Sequence, residues 1–409
     1  MNCEIICVGT EILLGNITNT NAVWLSQKLA DCGIDVFYQT CVGDNEKRIG
    51  EAVSLALSRS DMIITTGGLG PTKDDITKEV ICVQANVSLI KNDDAMRNIE
   101  EYFKRINRSI TKSNEKQAFL PEGCTVLPND NGTAPGFVFE KDGKTIVTLP
   151  GPPSEMMLMF EKYAAPVINK GQTPLFSKYI NIFGVGESSI DERMADEMAC
   201  SNPTLAPYAK AGEVMLRISA KAQNRGEADK ITEPVIDKLK ELYNENIYGF
   251  DCENLESQVV LKLKQANKTI ATAESCTGGL LSKRITDIAG SSEVFKMGVC
   301  TYSNEAKMNV LNVKENTLQQ FGAVSPQTAK QMAEGIRNIS GADIGIAITG
   351  IAGPSSDSTD KPVGLIYIAL CDDKGTHVQE LQLGDNKNRR SYNRTVSASH
   401  ALFMVLKTF

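Results

Sequence analysis

The sequence predicts an α/β protein with more than one domain, and three observations support this fold class. The chain has 409 residues, which suits two to three domains at about 150 residues each. Short apolar runs alternate with amphipathic stretches of about ten to fifteen residues, a pattern typical of strands that alternate with helices. Hydrophobic residues make up 42% of the chain and charged residues 23%, as in folded globular domains.

The first domain is predicted to span residues 1–168 as a doubly wound α/β domain. Its predicted strands are residues 4–8, 34–42, 62–65 and 145–148, and its first helices are residues 21–32 and 46–58. Because the strands are short, apolar and separated by helices, we expect them to be parallel and covered on both faces. Ligands of this fold bind at the carboxyl ends of the strands.

Two further units follow the first domain. Residues 169–252 predict a small α+β linking module, a spacer or lid, with strands 179–183 and 213–220 and helices 188–198 and 227–244. Residues 253–409 predict a second α/β domain. Its clearest predicted elements are helices 255–265 and 280–288 and strands 269–273, 343–348 and 364–370.

Composition excludes several classes of function. The net charge is −7 and no run of five or six Lys or Arg occurs, so no direct nucleic-acid partner is expected. The two histidines, His377 and His400, lie near the end of the chain, which excludes histidine triads and multi-histidine metal sites from most of it. We expect His377 at the surface and His400 in packing contacts.

The cellular setting is predicted from cysteines and apolar runs. The eleven cysteines are scattered without a CxxC pair, as in proteins of a reducing compartment. No apolar run approaches the roughly 20 residues of a membrane span, and the N-terminus has the pattern of a strand. We therefore expect a soluble, cytoplasmic protein with no membrane partner.

A glycine-rich loop follows the third predicted strand, with the sequence TGGLGPTKDDIT from Thr66 to Thr77. Backbone N–H groups in such a loop can approach an anion closely. The adjacent carboxylates Asp74 and Asp75 suit a divalent cation held against phosphates. The pattern GxxxxGK[ST] is absent, so this is not a Walker A loop. The alternative is a glycine turn before an acidic helix start, which the helix dipole favours.

Three other segments lie at predicted strand ends and are expected to face the same ligand. They are residues 9–11, 43–45 and 149–155. Each lies at the edge of the sheet where this fold places its sites. For residues 150–153 alone, a rigid proline turn is the simpler interpretation.

In the third unit, the predicted strand 269–273 leads into Glu274-Ser275-Cys276-Thr277-Gly278-Gly279. Ser275 at such a turn is a candidate nucleophile, and the N–H groups of residues 277–279 are candidate donors to an oxyanion. The alternative is that Ser275 or Thr277 is a helix N-cap. Cys276 ranks below Ser275, because no histidine lies near it to lower its pKa.

The remaining candidates are a base, a second glycine loop and a group of arginines. The segment VCTYSNEAK supplies Tyr302 and Lys307, the bases left to a serine without histidine. The loop TGIAGP spans residues 349–354. Near the last helix, Arg390 and Arg394 share a face at spacing i, i+4, beside Arg389, and suit phosphate or carboxylate recognition. The alternative for these arginines is a solvated face.

The N-terminal motifs GTEIL, VGDN, TTGGLGPTKDDIT, NGTAPGF and LPGPPSE resemble the molybdopterin-binding-type domain that opens CinA proteins. The resemblance implies a site for pterin or nucleotide phosphates with a divalent cation such as Mg²⁺. It also implies hydrolysis of ADP-ribose to AMP and ribose 5-phosphate, as in some CinA relatives. The implied metal- and phosphate-handling positions are Asp44, Asp74, Asp75 and Thr77, with Glu155 nearby and Gly67 and Gly68 at the ligand.

The motifs TAESCTGG, DIAGSSEVF, GVCTYSNEAK, GAVS, TGIAGP and KPVG resemble the C-terminal CinA domain. Its stand-alone relatives deamidate nicotinamide mononucleotide (NMN). The resemblance implies that Ser275 attacks the carboxamide, that Tyr302 is its partner, that no metal is required, and that the protein is a homodimer. The implied substrate-binding residues are Thr277, Gly278, Gly279, Thr349, Gly350, Gly353, Arg390 and Arg394.

One departure from the family pattern concerns the arginine. CinA proteins commonly have Gly-Asp-Arg before the last helix, where this chain has Gly384-Asp385-Asn386. We expect Arg390 or Arg394 to take that role after a small insertion.

The sequence therefore predicts a protein with two enzyme sites, an NMN amidohydrolase at the C-terminus and a metal-dependent ADP-ribose pyrophosphatase at the N-terminus. The alternative is a non-catalytic nucleotide- or pterin-binding protein that acts in competence or the DNA-damage response. The scarcity of histidine leaves Tyr302 or Lys307 as the base of the deamidase.

Overall fold

The computed structural model describes residues 1–169, 171, 173–356, 360–384 and 389–409. The chain forms two compact units, the first from residues 1–176 with 221–228 and the second from residues 177–220 with 229–409. In the described part of the chain, no helix is both long and apolar enough to cross a membrane.

The first unit contains a six-stranded sheet with strand order β2-β1-β3-β8-β7-β6. Its strands are β1 (Asn2–Val8), β2 (Asp35–Val42), β3 (Met62–Thr66), β6 (Thr125–Leu127), β7 (Gly136–Lys141) and β8 (Lys144–Leu149), and β4 (Leu89–Lys91) and β5 (Phe119–Pro121) form a separate antiparallel pair. Strands β1, β2, β3 and β8 are parallel, as predicted.

Strands β6 and β7 were not predicted from the sequence, and they are antiparallel to their neighbours. Asp142 and Gly143 both have positive φ, 50° and 75°, and join β7 to β8. Two such residues form the tight turn of a β-hairpin, and the dipeptide Asp-Gly is its usual sequence. The hairpin signal was therefore present in the sequence.

Helices cover both faces of this sheet. They are α1 (Thr10–Leu13), α2 (Thr20–Asp31), α3 (Glu46–Arg59), α4 (Thr77–Ala85), α5 (Asp93–Arg105), α6 (Lys112–Glu115), α7 (Pro153–Met159) and α8 (Ala165–Ile168). Alternate residues of β1 serve opposite cores: Ile5 packs with α2 and α7, and Ile6 packs with α3, α4 and α5. A sheet buried on both faces is the doubly wound α/β arrangement that the sequence predicts.

The middle module, which consists of the elements from β9 to β12, has a four-stranded sheet with order β10-β11-β9-β12. Its elements are β9 (Leu175–Phe183), α9 (Glu187–Arg193), α10 (Ala195–Met198), β10 (Thr204–Lys210), β11 (Glu213–Lys221), α11 (Arg225–Tyr243) and β12 (Ile247–Phe250). Helix α11 packs on the sheet through Val235, Ile236 and Leu239. The single helix predicted for residues 188–198 is two helices, because the backbone leaves the helical region at Met194.

The C-terminal domain has a five-stranded sheet with order β14-β13-β15-β16-β17. Its elements are α12 (Leu255–Gln265), β13 (Ile270–Glu274), α13 (Leu280–Thr286), β14 (Phe295–Cys300), α14 (Asn304–Leu311), α15 (Glu315–Phe321), α16 (Pro326–Ser340), β15 (Ile344–Gly350), β16 (Leu365–Cys371), β17 (Thr376–Gln382) and α17 (Arg390–Leu406). Strands β13, β14 and β15 are parallel, so their carboxyl ends meet at one edge.

Both faces of this second sheet are also covered. Ile346 and Ile348 of β15 pack with α12, α13 and α17, whereas Ala347 packs with α14 and α16. The alanine and glycine residues of β13 and β15 have a small side chain or none, so α16 can lie close to the sheet. The mixed α/β fold class predicted from the sequence is therefore correct for both large domains.

A close helix contact in this domain gives a stability prediction. A Cβ atom built on Gly335 of α16 would lie 2.1 Å from the carbonyl oxygen of Leu311 at the end of α14. Because backbone atoms cannot move aside cheaply, Gly335→Ala should lower the free energy of unfolding by about 2 kcal/mol or more. Urea denaturation followed by circular dichroism measures this change.

The control for this prediction is Gly186→Ala. A Cβ atom at Gly186 meets nothing within 4 Å, and its φ of −76° suits alanine. Equal stability of the two variants would contradict the account of this helix contact.

Candidate active sites

The nucleophile candidate Ser275 lies directly after β13, at the edge where the parallel strands end. Its N–H donates to the carbonyl of Ile348 in β15 at 2.9 Å, which fixes the backbone between the two strands. Gly278 and Gly279 have φ of 58° and 91°, a left-handed conformation that glycine adopts without strain. The chain therefore turns sharply from β13 into α13 and leaves Ser275 at the turn.

The turn is held by Glu274, a fully buried carboxylate that sequence reasoning missed. It accepts hydrogen bonds from the N–H groups of Gly279, Leu281 and Ser282 at 2.9, 3.0 and 2.8 Å, and from the Ser282 hydroxyl at 2.6 Å. A negative charge at a helix N-terminus is favoured by the unpaired N–H groups and the helix dipole. Glu274 thus anchors the start of α13 beside the nucleophile.

This anchor corrects the predicted oxyanion donors. The N–H of Gly279 donates to Glu274, and that of Gly278 donates to the Ser275 carbonyl at 3.1 Å. Neither amide points to a ligand. In the described ranges, the amides of Cys276 and Thr277 have no acceptor, so these two are the donors that remain.

Lys307 is the side chain that the fold brings to Ser275. Its Nζ lies 3.2 Å from Ser275 Oγ and donates to the carbonyls of Thr301 at 2.8 Å and Tyr302 at 3.2 Å. The side chain is completely buried, and burial lowers the pKa of Lys307 to about 8. A substantial fraction of the amine is therefore neutral near pH 7 to 8, as a general base requires.

Tyr302, the other candidate base, occupies a different position. Its side chain is 65% exposed, and its contact with Lys307 is through the backbone carbonyl. Among the residues that the structure describes, Lys307 is the one hydrogen-bond partner of the Ser275 hydroxyl. The geometry therefore favours Lys307 over Tyr302 as the partner of the nucleophile.

Cys276 is unsuited to act as the nucleophile. Its side chain is 6% exposed, and burial raises the pKa of its thiol to about 12. Because the thiolate is the reactive form, a thiol with so high a pKa is inert near neutral pH.

The two arginines predicted to bind substrate both contact loops of the site. Arg390 Nη1 donates to the carbonyl of Gly353 at 2.5 Å, and Arg394 Nη2 donates to the carbonyl of Thr277 at 2.6 Å. Arg394 is half-buried, so a solvated face is the wrong interpretation for it, whereas Arg390 is exposed and still reaches the loop. Each guanidinium keeps further N–H groups for a ligand. In the segment Gly384-Asp385-Asn386, which differs from the family pattern, Gly384 is described, and Asp385 and Asn386 lie outside the described residues.

The glycine loop after β15 includes residues with structural contacts. The buried Thr349 hydroxyl donates to the carbonyl of Ala323 at 2.8 Å. A Cβ on Gly350 would lie 2.7 Å from the carbonyl oxygen of Leu365. Thr349 and Gly350 thus shape the loop through strand packing, while Gly353 presents its carbonyl to Arg390.

Four buried polar atoms in this domain have no hydrogen-bond partner within the described part of the chain. They are Thr277 Oγ1, Thr301 Oγ1, Asn393 Oδ1 and Arg394 Nε. Buried polar groups are nearly always paired, because an unpaired one is costly. All four belong to the segments that carry Ser275, the carbonyl partners of Lys307 and the arginines.

Thr301 and Asn393 were missed from the sequence. Asn393 is fully buried and donates to the carbonyl of Ala352 at 3.1 Å. An asparagine in register with the buried apolar residues of α17, such as Val396, was the available signal.

The two histidines lie away from both sites. His377 is exposed on β17. The His400 ring packs edge-on against Phe183, with centroids 4.8 Å apart, and burial lowers the pKa of His400 to about 4.

In the N-terminal domain, the glycine loop after β3 packs tightly on its neighbours. A Cβ on Gly67 would lie 2.1 Å from the carbonyl oxygen of Val8, and one on Gly68 would lie 2.0 Å from Thr77 Oγ1. Both glycines have positive φ. Thr77 is fully buried, and its hydroxyl has no partner in the described ranges. Only glycine fits at these two positions.

The predicted strand-end segments line one cavity of about 630 Å³. Its acidic lining residues are Glu11, Asp44, Asp74, Asp75 and Glu155. The structure thus brings together all four carboxylates predicted as metal ligands. Among the described lining residues there is no lysine or arginine, so the cavity is strongly acidic.

Three of these carboxylates already accept hydrogen bonds. Asp44 accepts from the Thr10 N–H and hydroxyl at 2.9 and 2.8 Å, and Asp75 accepts from the Thr72 N–H and hydroxyl at 2.9 and 2.7 Å. Glu155 accepts from Asn129 at 2.6 Å. In the described part of the chain, no three acidic, cysteine or histidine side chains gather around one point as metal ligands. A protein-only metal cage is therefore not formed here.

The fold and the sites define a class of protein with two α/β domains and a small module between them, with one acidic glycine-loop site and one serine–lysine site. Family models agree with this organisation. A "Probable molybdopterin binding domain" matches residues 4–170, a "Damage-inducible protein CinA KH domain" matches residues 177–249, and a "CinA C-terminal domain" matches residues 252–409.

Relatives match along nearly the whole chain. A protein from Caldanaerobacter subterraneus subsp. tengcongensis is 49% identical over 406 residues, covering 99% of this chain and 98% of the relative. A "CinA-like protein" from Dictyoglomus turgidum is 45% identical over 399 residues, covering 97% of each chain. The chain belongs to the CinA family. The names of these relatives state no chemical activity.

A solved structure matches a shorter part of the chain. The crystal structure of a competence/damage inducible protein from Agrobacterium tumefaciens is 42% identical, covers 37% of this chain and 92% of that chain, and has a TM-score of 0.36.

Proposed function

We propose that the C-terminal domain is an amidohydrolase that converts NMN and water to nicotinic acid mononucleotide and ammonia. The observation that carries this proposal is the 3.2 Å contact between the buried Lys307 amine and the Ser275 hydroxyl. The choice of NMN rests on the resemblance of the C-terminal motifs to those of NMN deamidases. The unpaired polar atoms and the two arginines around this contact suit a polar, phosphorylated substrate.

In the first half of the reaction, Ser275 Oγ attacks the carboxamide carbon while neutral Lys307 takes the hydroxyl proton. The negative charge on the carboxamide oxygen faces the amides of Cys276 and Thr277. The Lys307 ammonium then returns the proton to the leaving nitrogen. The C–N bond breaks, ammonia departs, and an ester remains on Ser275.

In the second half, a water molecule attacks the ester carbon and Lys307 takes one of its protons. The bond between the ester carbon and Ser275 Oγ breaks, and Oγ regains the proton from Lys307. Nicotinic acid mononucleotide leaves. One water is consumed and one amide bond is cleaved, with no metal or redox cofactor in the balance.

The substrate phosphate is expected near the start of α17. Arg390 and Arg394 each use one N–H group on a loop carbonyl and retain donors for phosphate oxygens. Arg394 Nε is buried without a partner in the described ranges, so a ligand oxygen there would satisfy it.

The test is ammonia release from NMN by the purified protein. Ser275→Ala removes the nucleophile and Lys307→Met keeps the side-chain length without the amine, so each should lower kcat by roughly a thousandfold or more. Tyr302→Phe removes only an exposed hydroxyl and should retain activity within about threefold, because no proton transfer passes through it.

Two outcomes would contradict this proposal. Equal, slow ammonia release by the wild type and Ser275→Ala would exclude the deamidase. Loss of activity in Tyr302→Phe but not in Lys307→Met would assign the base to Tyr302.

A second function, metal-dependent hydrolysis of ADP-ribose to AMP and ribose 5-phosphate, is proposed for the N-terminal domain. The supporting observation is the acidic cavity of about 630 Å³. Phosphate anions would be repelled by its carboxylates, so a phosphorylated ligand needs an accompanying cation. Mg²⁺ is commonly held by one or two carboxylates together with substrate phosphates and waters, which this lining can provide without a protein-only cage.

In that proposal, one or two of Asp44, Asp74, Asp75 and Glu155 would hold the cation. The bound cation would neutralise the phosphate charge. The chain's own contribution is the glycine loop at Gly67 and Gly68, which line the cavity and let the backbone approach the phosphates. Thr77, predicted to handle phosphate, is instead fully buried behind Gly68 and is not among the residues that line the cavity.

The test is AMP formation from ADP-ribose with Mg²⁺ and with a chelator. Chelation should abolish the activity. Asp74→Asn, at an exposed carboxylate of the cavity, should lower it by roughly tenfold or more. The matched control is Asp130→Asn, because Asp130 pairs with Lys162 at 2.6 Å and does not line the cavity. AMP formation that persists undiminished with chelator would contradict the metal proposal.

The alternative of a non-catalytic nucleotide- or pterin-binding protein stays a prediction, and failure of both assays would favour it. The homodimer and the cytoplasmic location also stay predictions.

A further inference from the structure

The middle module covers one face of α17, the helix that carries the two substrate arginines. The α17 residues that face the module recur at helical spacing: Val396, Ser399, His400 and Phe403, followed by Lys407 directly after the helix. Residues three and four apart lie on the same side of a helix. This stripe therefore runs along the helix as one continuous contact surface.

The apolar part of this contact is centred on Phe183 of β9. Its ring centroid lies 4.8 Å from that of His400 and 4.6 Å from that of Phe403. Phe183 is 2% exposed and belongs to the same buried cluster as the β15 side chains Ile346 and Ile348. The middle module thus contributes a side chain to the core of the C-terminal domain.

The polar part is a joint of five nearly buried groups, here called the Glu213 joint. Its members are Glu213 and Tyr248 of the middle module and Glu256, Arg284 and Ser399 of the C-terminal domain. Glu213 accepts hydrogen bonds from the Tyr248 hydroxyl at 2.7 Å and the Ser399 hydroxyl at 3.2 Å. Arg284 donates to Ser399 at 2.8 Å and to Glu256 at 2.7 Å, and lies 3.9 Å from Glu213.

Two helices, α13 and α17, connect the Glu213 joint to the serine–lysine site over a short distance. At a rise of 1.5 Å per residue, Ser399 is only ~7.5 Å further along α17 than Arg394, and Arg284 only ~6 Å further along α13 than Leu280. Arg394 holds the nucleophile turn at the Thr277 carbonyl. Leu280 begins α13, the helix that Glu274 anchors. Both helices that hold the nucleophile turn therefore meet at the joint.

We propose that the middle module positions the C-terminal site, and that Glu213 is the positioning residue through which it acts. This inference rests on the proposed deamidase function. The Glu213 carboxylate accepts from Ser399 of α17 and lies 3.9 Å from Arg284 of α13, so it supports the direct bond between Arg284 and Ser399 that joins the two helices. Without it, Tyr248 and Ser399 lose their acceptor in a buried place and the two helices repack. The repacking would shift Arg394 relative to Thr277 and weaken substrate binding.

The expected kinetic effect separates positioning from loss of folded protein. Glu213→Ala should raise KM for NMN by roughly fivefold or more, a typical coupling between two sites. The value of kcat should stay within about twofold, because Ser275 is fixed by its backbone bond to Ile348 of β15 and Lys307 by the carbonyls of Thr301 and Tyr302, whereas Arg394 of α17 contacts the turn at Thr277. Partial unfolding would instead lower kcat and leave KM unchanged.

Two further variants complete this experiment. If Glu213→Ala does not fold, Glu213→Gln is used in its place, because it keeps the side-chain shape. The same criteria then apply to it. The matched control is Glu197→Gln, because Glu197 belongs to the same module, is also partly buried and pairs with Lys238 at 2.8 Å. It should keep the wild-type KM. A wild-type KM in both Glu213 variants would overturn the proposal.

A second measurement does not depend on the deamidase activity. Amide hydrogen exchange in Glu213→Ala should be faster than in the wild type at Leu281 and Ser282 of α13 and along α17, and unchanged in Glu197→Gln. If the wild type releases no ammonia from NMN, the proposed function fails, and hydrogen exchange still decides the positioning role. Identical exchange in the wild type and Glu213→Ala would then overturn it.

Discussion

The C-terminal site depends on one interaction, the contact of a buried lysine amine with a serine hydroxyl. A charged ammonium without a carboxylate partner is costly in a dry environment, so burial favours the neutral amine. Three oxygen atoms surround Lys307 Nζ, and they are the Ser275 hydroxyl and the carbonyls of Thr301 and Tyr302. The carbonyls orient the amine, and its remaining partner is Ser275, the proposed nucleophile. The surrounding strands and helices exclude water from this contact and hold its atoms in place.

The candidate sites of the two α/β domains share a glycine turn but carry opposite charge. Each places a glycine turn after a parallel strand, at Gly67 and Gly68 in the first domain and at Gly278 and Gly279 in the last. The first cavity is lined by five carboxylates and therefore suits an anionic ligand only together with a cation. The last site is approached by Arg390 and Arg394, so it can receive a phosphate directly. Neither site uses histidine.

The sequence predicted those features that depend on local pattern. Helix α12 has the predicted bounds, β3 is one residue longer than predicted, and β13 is shifted by one residue, because apolar periodicity and glycine mark these elements locally. The residue types at the C-terminal site, with Ser275 at a strand-to-helix turn, followed from the same local reasoning.

The sequence could not decide features that depend on tertiary contacts. Choosing Lys307 over Tyr302 required knowing which side chain α14 turns inward. Glu274 looked like an ordinary end of a strand, and its role depends on three amides of the next helix meeting its carboxylate. The contact of Arg394 with Thr277 joins residues 117 positions apart, and no periodicity reports such a pairing. The contact between Glu213 and Ser399 is of the same kind.

The central claim is that burial lowers the pKa of Lys307 far enough for a substantial fraction of the amine to be neutral near physiological pH. Titration of this amine by NMR of lysine-labelled protein, with Lys307→Met to assign its resonance, tests the claim directly. We expect a pKa of about 8, and we expect ammonia release from NMN to rise with pH through the same value, because only the neutral amine can accept the Ser275 proton. A pKa near 10.5, the ordinary value for lysine, would contradict the account.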